Sequence, residues 1–280
     1  MLKSISYWSF PKVNGNPCPI ETAMRLAKDY GYDAIELTCD LNGPLNPDTT
    51  HKECSRWRDA ADKIGIALQS VASGMCWSFS PTDNAAEVRK QSVMLQKAAL
   101  DRCAWLGAQT LLHVPGAIVI PWNPSYKPVK YDVALKRAAE AVTELGEHAA
   151  SLGIELGVEN VWNGLFYSPL ELRDFVDSFQ NPAVGVYFDI GNILNHQQWP
   201  PHWIEILGKR IRRVHVKDFK LSVGTLDGFC DLTDGDVPWK ETMDALRAVG
   251  YDKTMTAEML PPDATILDRT SKALDKIFAL

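Results

Sequence analysis

Four residues whose types suit metal and proton chemistry fall at corresponding points in the second half of the chain: Glu159 in GVEN, Asp189 in YFDIGN, His215 in RVHVKD and Glu258 in TAEML. Each lies near the end of an apolar, strand-like run. The run around His215 shows why the placement matters. A strand turns alternate side chains to opposite faces, so in RVHVKDFK Val214 and Val216 pack on one side while Arg213, His215 and Lys217 share the other. Something polar must occupy that other side. Three carboxylates gathered there would repel one another and raise their pKa values unless a cation neutralised them. One divalent metal ion fits such a set. Three oxygen ligands and one imidazole suit Mn2+, Mg2+ or Co2+, with Zn2+ as a further option, and leave positions open for a substrate.

Taken singly, a glutamate at a strand end is most often a solvated or salt-bridged residue, and a strand histidine is most often hydrogen-bonded core. Four ligand types in register on four successive strands are hard to obtain from solvation alone. Around them lie further candidates. His113 ends an earlier strand-like run, Asn192 follows Asp189 by three residues, and Lys217 and Asp218 follow His215. With Trp162, these are the expected substrate contacts. The strand-end carboxylate Glu36, in GYDAIEL, is grouped with them as a support of the site. The competing readings are that Lys217 and Asp218 pair with each other and that His113 is core. Trp8, Trp77, Trp122 and Trp162 all follow strands, where indole faces would suit the C–H face of a sugar.

The elements that must hold these residues alternate from one end of the chain to the other. Strand candidates are 4–8, 34–39, 66–73, 110–116, 154–161, 184–192, 211–219 and 254–260. Segments with helical spacing of apolar residues lie between them, at 20–30, 51–64, 84–106, 133–153, 169–178, 203–208, 239–249 and 266–278. Several end at a glycine, among them Gly65, Gly107 and Gly153, as a helix stop requires. Eight β-then-α units predict an α/β fold, a single (β/α)8 TIM barrel forming one domain over 1–280. An open doubly wound sheet is the alternative, but no turn carries G-x-G-x-x-G, so a dinucleotide site is not expected. In a barrel the site lies where strands end, and consecutive strands are about 4.8 Å apart, so four strand-end side chains can converge.

Composition narrows the partners. The chain has 280 residues, with 29 Lys and Arg against 35 Asp and Glu. That acidic balance, with no basic block, argues against nucleic acid and anionic membranes. The N-terminal MLKSISYWSF lacks the pattern of a signal peptide, and no run approaches the roughly 20 apolar residues of a membrane span, so a soluble, cytoplasmic protein is expected. The six cysteines include no C-x-x-C pair and read as free thiols.

The pieces GYDAIEL, GVENVWN, VYFDIGN, RVHVKDF, TDGDVPW and TAEM together resemble the sugar isomerase/epimerase group of xylose isomerase-like TIM barrels, over essentially the whole chain. The likeness is closest to pentulose-5-phosphate 3-epimerases and hexulose-6-phosphate isomerases. It implies metal ligation by Glu159, Asp189, His215 and Glu258, the set already reached from the strand ends. It also implies that Glu159 and Glu258 act as the acid/base pair of a ketose 3-epimerase. Relatives acting on free ketoses carry a histidine where this chain has Asn192, so the resemblance leans to the sugar-phosphate branch, with Lys217, Lys220, Arg212 or Arg213 as sources of positive charge. The expected reaction is 3-epimerisation of a ketose or ketose phosphate through a metal-stabilised enediolate. Aldose–ketose isomerisation and an inosose- or dehydroshikimate-type dehydration share its first step. A silent sugar- or metal-binding barrel is the reading outside enzymes. The expected partner is a small sugar or sugar phosphate, with self-association into a homo-oligomer left open.

Overall fold

The computed structural model describes residues 1–280. Eight parallel strands close into a barrel: β1 (Leu2–Ser6), β2 (Ala34–Thr38), β3 (Ser70–Ser73), β4 (Thr110–His113), β5 (Glu155–Glu159), β6 (Val184–Asp189), β7 (Ile211–Val216) and, after a short hairpin, β10 (Thr254–Ala257). Each is followed by a helix: α1 (Ile20–Asp29), α2 (His51–Ile64), α3 (Ala86–Trp105), α4 (Tyr131–Leu152), α5 (Pro169–Asp177), α6 (Pro200–Leu207), α7 (Trp239–Ala248) and α8 (Ile266–Phe278). This is the (β/α)8 barrel that the alternating pattern predicts. Strand β10 closes the ring between β7 and β1.

Local chemistry sets the helix ends. Thr50 and Glu53 form a reciprocal capping box at the start of α2, and Gly65 ends that helix in a left-handed conformation at φ 75°. Gly153 does the same for α4. Helix α6 begins earlier than its apolar spacing suggests, because Pro200 and Pro201 occupy the first turn, where no backbone N–H is needed.

Burial divides the barrel unevenly. The buried apolar residues between strands and helices number 67, whereas a second cluster holds only Ala72, Cys76, Leu112, Val114 and Tyr187. The barrel interior is therefore largely polar: Ser4, Glu36, Thr110, Arg213, His215 and Thr256 are all buried. At its N-terminal end Arg213 donates to the carbonyl of Gln69 and to Gln109 Oε1.

One element escapes the strand-and-helix pattern. After β7 the chain makes an antiparallel hairpin, β8 (Asp218–Phe219) with β9 (Phe229–Cys230), and then a turn that returns to Trp239. Asp218 ties this strap down. Its Oδ1 accepts from the backbone N–H of Phe219 and Val237, and its Oδ2 from the N–H of Thr233 and from Trp239 Nε1. The strap passes so close that a Cβ added to Gly235 would lie 2.1 Å from Asp218 Oδ1. Replacing Gly235 with alanine is expected to lower stability by about 1–3 kcal/mol, as overpacking does. Urea denaturation of the G235A variant measures it, and an unchanged midpoint would contradict the tight-strap account.

Candidate metal centre and pocket

Strands β5, β6, β7 and β10 are consecutive neighbours in the ring, and each delivers one side chain to the C-terminal mouth. Glu159, Asp189, His215 and Glu258 each offer one ligand atom, and the four atoms lie within 4.8 Å of one another. His215 Nδ1 is 3.1 Å from Glu258 Oε2, 3.6 Å from Glu159 Oε1 and 3.9 Å from Asp189 Oδ2.

The orientation of His215 comes from below. Its Nε2 is 2.8 Å from Glu36 Oε1, and Glu36 is fully buried. Glu36 Oε2 in turn accepts from Ser70 Oγ and from the Tyr187 hydroxyl. With a carboxylate on one side, Nε2 carries the proton and the Nδ1 lone pair faces three further carboxylates. A lone pair aimed at anions requires a proton or a cation between them. Neither His215 Nδ1 nor Asp189 Oδ2 has a well-aligned hydrogen-bond partner in the protein, although both are buried. Asp189 Oδ1 is already satisfied by the N–H of Asn192. The unpartnered His215 Nδ1, with Asp189 Oδ2 and the two glutamates around it, makes a donor set that fits a divalent metal ion.

The groups also tune one another. Burial alone would depress the His215 pKa, but Glu36, Glu159 and Glu258 outweigh it and push it well above the usual histidine range. Burial raises Glu159 to about 7 against the pull of His215 and Lys217. Burial would raise Glu258 as well, yet Lys217 and His215 overcome it and hold that carboxyl down at about 2. Lys217 Nζ lies 2.9 Å from both Asp189 Oδ2 and Glu258 Oε2, so its ammonium stays charged despite burial. The two glutamates thus sit in unlike electrostatic settings, one beside a lysine and one deeper against the strands.

Glu258 and Lys217 open onto a pocket of about 530 Å3, which Trp162, Asn192 and Asp218 also line. Trp162 donates from its indole to the Asn192 carbonyl, and the Asn192 amide donates to the Asn160 carbonyl. Asn160, which sequence reasoning passed over, clasps the ends of β5 and β6 through paired bonds to the Asp189 backbone. Its position directly after Glu159 was the available signal.

Several expectations need correction. Glu36 is not a substrate contact: it is sealed beneath His215, and its oxygens are spent on His215, Ser70 and Tyr187. The Asp218 carboxylate is spent on four donors of the strap, which leaves it neither a partner of Lys217 nor a free group for substrate. His113 faces the helices. Its register partner Ser73 bonds Gln96 of α3, and Leu111, two residues earlier, packs in the outer core. Burial there pushes His113 down to about 3, so it is a neutral core residue. Arg212 and Arg213 lie at the far end of β7, where Arg212 bonds the Pro182 carbonyl, and Lys220 is exposed outside the pocket lining.

Because Glu36 fixes the ligand face of His215, the Glu36→Gln variant should bind Mn2+ about 10–100-fold more weakly while keeping its fold. Isothermal titration beside circular dichroism checks this; unchanged affinity would show that Glu36 does not orient the ligand.

Comparison with known proteins agrees with this architecture. A solved structure of D-psicose 3-epimerase with D-tagatose from Clostridium cellulolyticum H10 has a TM-score of 0.80 at 18% identity, covering 99% of this chain and 98% of that one. The 3-keto-D-glucoside 4-epimerase of E. coli gives 0.78 at 14% identity, covering both chains completely. An L-ribulose 3-epimerase gives 0.75 at 17%, covering 100% of this chain and 86% of that one. Among curated sequences, the 3-oxo-isoapionate decarboxylase of Pectobacterium atrosepticum is 28% identical over 100 residues, 35% of this chain. The chain therefore matches about a third, 32%, of that relative's length. The model of the xylose isomerase-like TIM barrel family matches residues 24–277, and the chain belongs to that family.

Proposed function

We propose that the protein is a divalent-metal-dependent sugar epimerase that inverts C3 of a ketose or ketose derivative. The observation that carries this reading is the convergence of Glu159, Asp189, His215 and Glu258 on one point, with Glu258 also lining the pocket. The names of several structural relatives, D-psicose and L-ribulose 3-epimerases, support it. So does the arrangement of the strands. Glu159 and Glu258 come from β5 and β10, the outer two of the four contributing strands, so they approach the centre from different sides.

A bound divalent cation would polarise the substrate carbonyl and stabilise the negative charge that develops when the adjacent C–H proton leaves. The remaining work falls to the protein. One glutamate takes the C3 proton, and the electron pair left behind delocalises onto the carbonyl oxygen. The other glutamate, protonated at the start, gives its proton to the opposite face of C3. Atoms and charge balance, the sugar changes only in configuration, and the two glutamates exchange protonation states, which proton exchange with solvent resets. Lys217 keeps Glu258 ionised and lies where an ammonium can hydrogen-bond a substrate oxygen. Trp162 and Phe229 of the strap line the pocket in which this step would take place.

Proton NMR in D2O tests the reading, using Mn2+-loaded protein with a panel of ketoses and ketose phosphates. Deuterium should enter at C3 with the new epimer appearing, and Glu258→Gln should slow exchange by about 100- to 10,000-fold. Exchange at C1 or C2 with an aldose appearing would reassign the protein as an isomerase, and silence across the panel would remove the epimerase reading. Lys217→Met should lower kcat more than it raises KM; an effect on KM alone would reduce Lys217 to a binding group.

A further inference from the structure

The pocket has two unlike ends. Its inner end carries Glu258, Lys217 and Asn192, the polar groups beside the metal ligands. Its outer end is walled by Trp122, Leu226, Phe229 and Leu260, with Pro261 and Pro262 behind. Apart from the Trp122 indole, whose face can stack on C–H groups, these outer walls offer little to a hydroxyl-rich molecule. A sugar hydroxyl pressed against leucine, proline or a phenyl ring loses its water partners and gains none.

Charge points the same way. Lys217 is the one cation among the lining residues, and its ammonium is already shared between Asp189 and Glu258 at 2.9 Å. The other charged lining groups are the carboxylates of Glu258 and Asp218. A phosphate in the outer chamber would find no unpaired cation, and desolvating a dianion there is unfavourable.

The outer wall is also bare. Trp122, Leu226 and Leu260 are 47%, 41% and 55% exposed, although they face one pocket. Trp122 is held by an edge-on contact with Trp77, ring centres 4.7 Å apart. The volume of about 530 Å3 lies in the range of pockets that hold drug-sized ligands, larger than a single six-carbon sugar needs.

Building on the epimerase reading, we propose that the substrate is an uncharged sugar bearing an apolar aryl or alkyl substituent. The carbonyl end sits at the metal ligands, and the substituent fills the chamber between Trp122, Phe229 and Leu260. This reverses the lean toward phosphorylated sugars that Asn192 suggests in the sequence.

A matched probe set tests it by calorimetry on Mn2+-loaded protein: D-fructose, its 1- and 6-phosphates, and its 1-O- and 6-O-benzyl ethers. At least one benzyl ether should bind tenfold or more tightly than fructose, and neither phosphate should bind better than fructose. The gain should vanish in the Trp122→Ala/Leu260→Ala double variant, whose affinity for Mn2+ should be unchanged. Tighter binding of a phosphate, equal affinities throughout, or a benzyl gain that survives the double variant would overturn the proposal. The readout is binding, so it stands apart from turnover: a preserved benzyl preference without C3 exchange would sink the epimerase reading and leave the substrate class intact.

Discussion

The hydrogen bond between Glu36 and His215 is the constraint on which the rest of the site depends. It lies inside the barrel, with both residues fully buried. A lone buried carboxylate would be costly, and Glu36 is tolerated because His215, Ser70 and Tyr187 converge on its two oxygens. Tyr187 reaches it from β6 across Gly157, where an added Cβ would approach the Tyr187 side chain to 3.1 Å. The result is a directed imidazole: one nitrogen is committed to Glu36, and the other is aimed at three carboxylates. A polar barrel interior, unusual beside the apolar shell that surrounds it, is what this orientation requires.

Above that base, charge is arranged rather than minimised. Three carboxylates at the mouth are balanced by Lys217 and by the cation their geometry fits. Asp218, next in sequence to Lys217, is withdrawn from this balance and used to pin the strap that forms one side of the pocket. Adjacent residues of opposite charge thus serve different layers, because successive side chains at the end of β7 diverge.

This divergence explains what the sequence could and could not disclose. The four candidate ligands were legible because three are the last inward-facing residues of their strands and Glu258 directly follows its own, and a barrel converts that one-dimensional regularity into a point in space. The eight strands and eight helices were legible for the same reason, through periods of two and 3.6. His113 looked equivalent by type and by nearness to a strand end, but its parity is wrong: it shares the outward face of Ser73 and Leu111. Glu36 has the right parity but lies one layer too deep, a depth fixed by strand stagger rather than local pattern. The arginines of β7 were misplaced along the strand rather than across it. The hairpin of β8 and β9 has two-residue strands, too short for any alternation to register.

The account's central claim is that Glu159, Asp189, His215 Nδ1 and Glu258 form one cation's ligand set. Crystals soaked in Mn2+ and measured at the manganese absorption edge test it directly. One anomalous peak per chain, about 2.0–2.2 Å from an atom of each of the four residues, is the predicted result. A peak that leaves out His215, or none at this position while Mn2+ binds elsewhere on the chain, would contradict it.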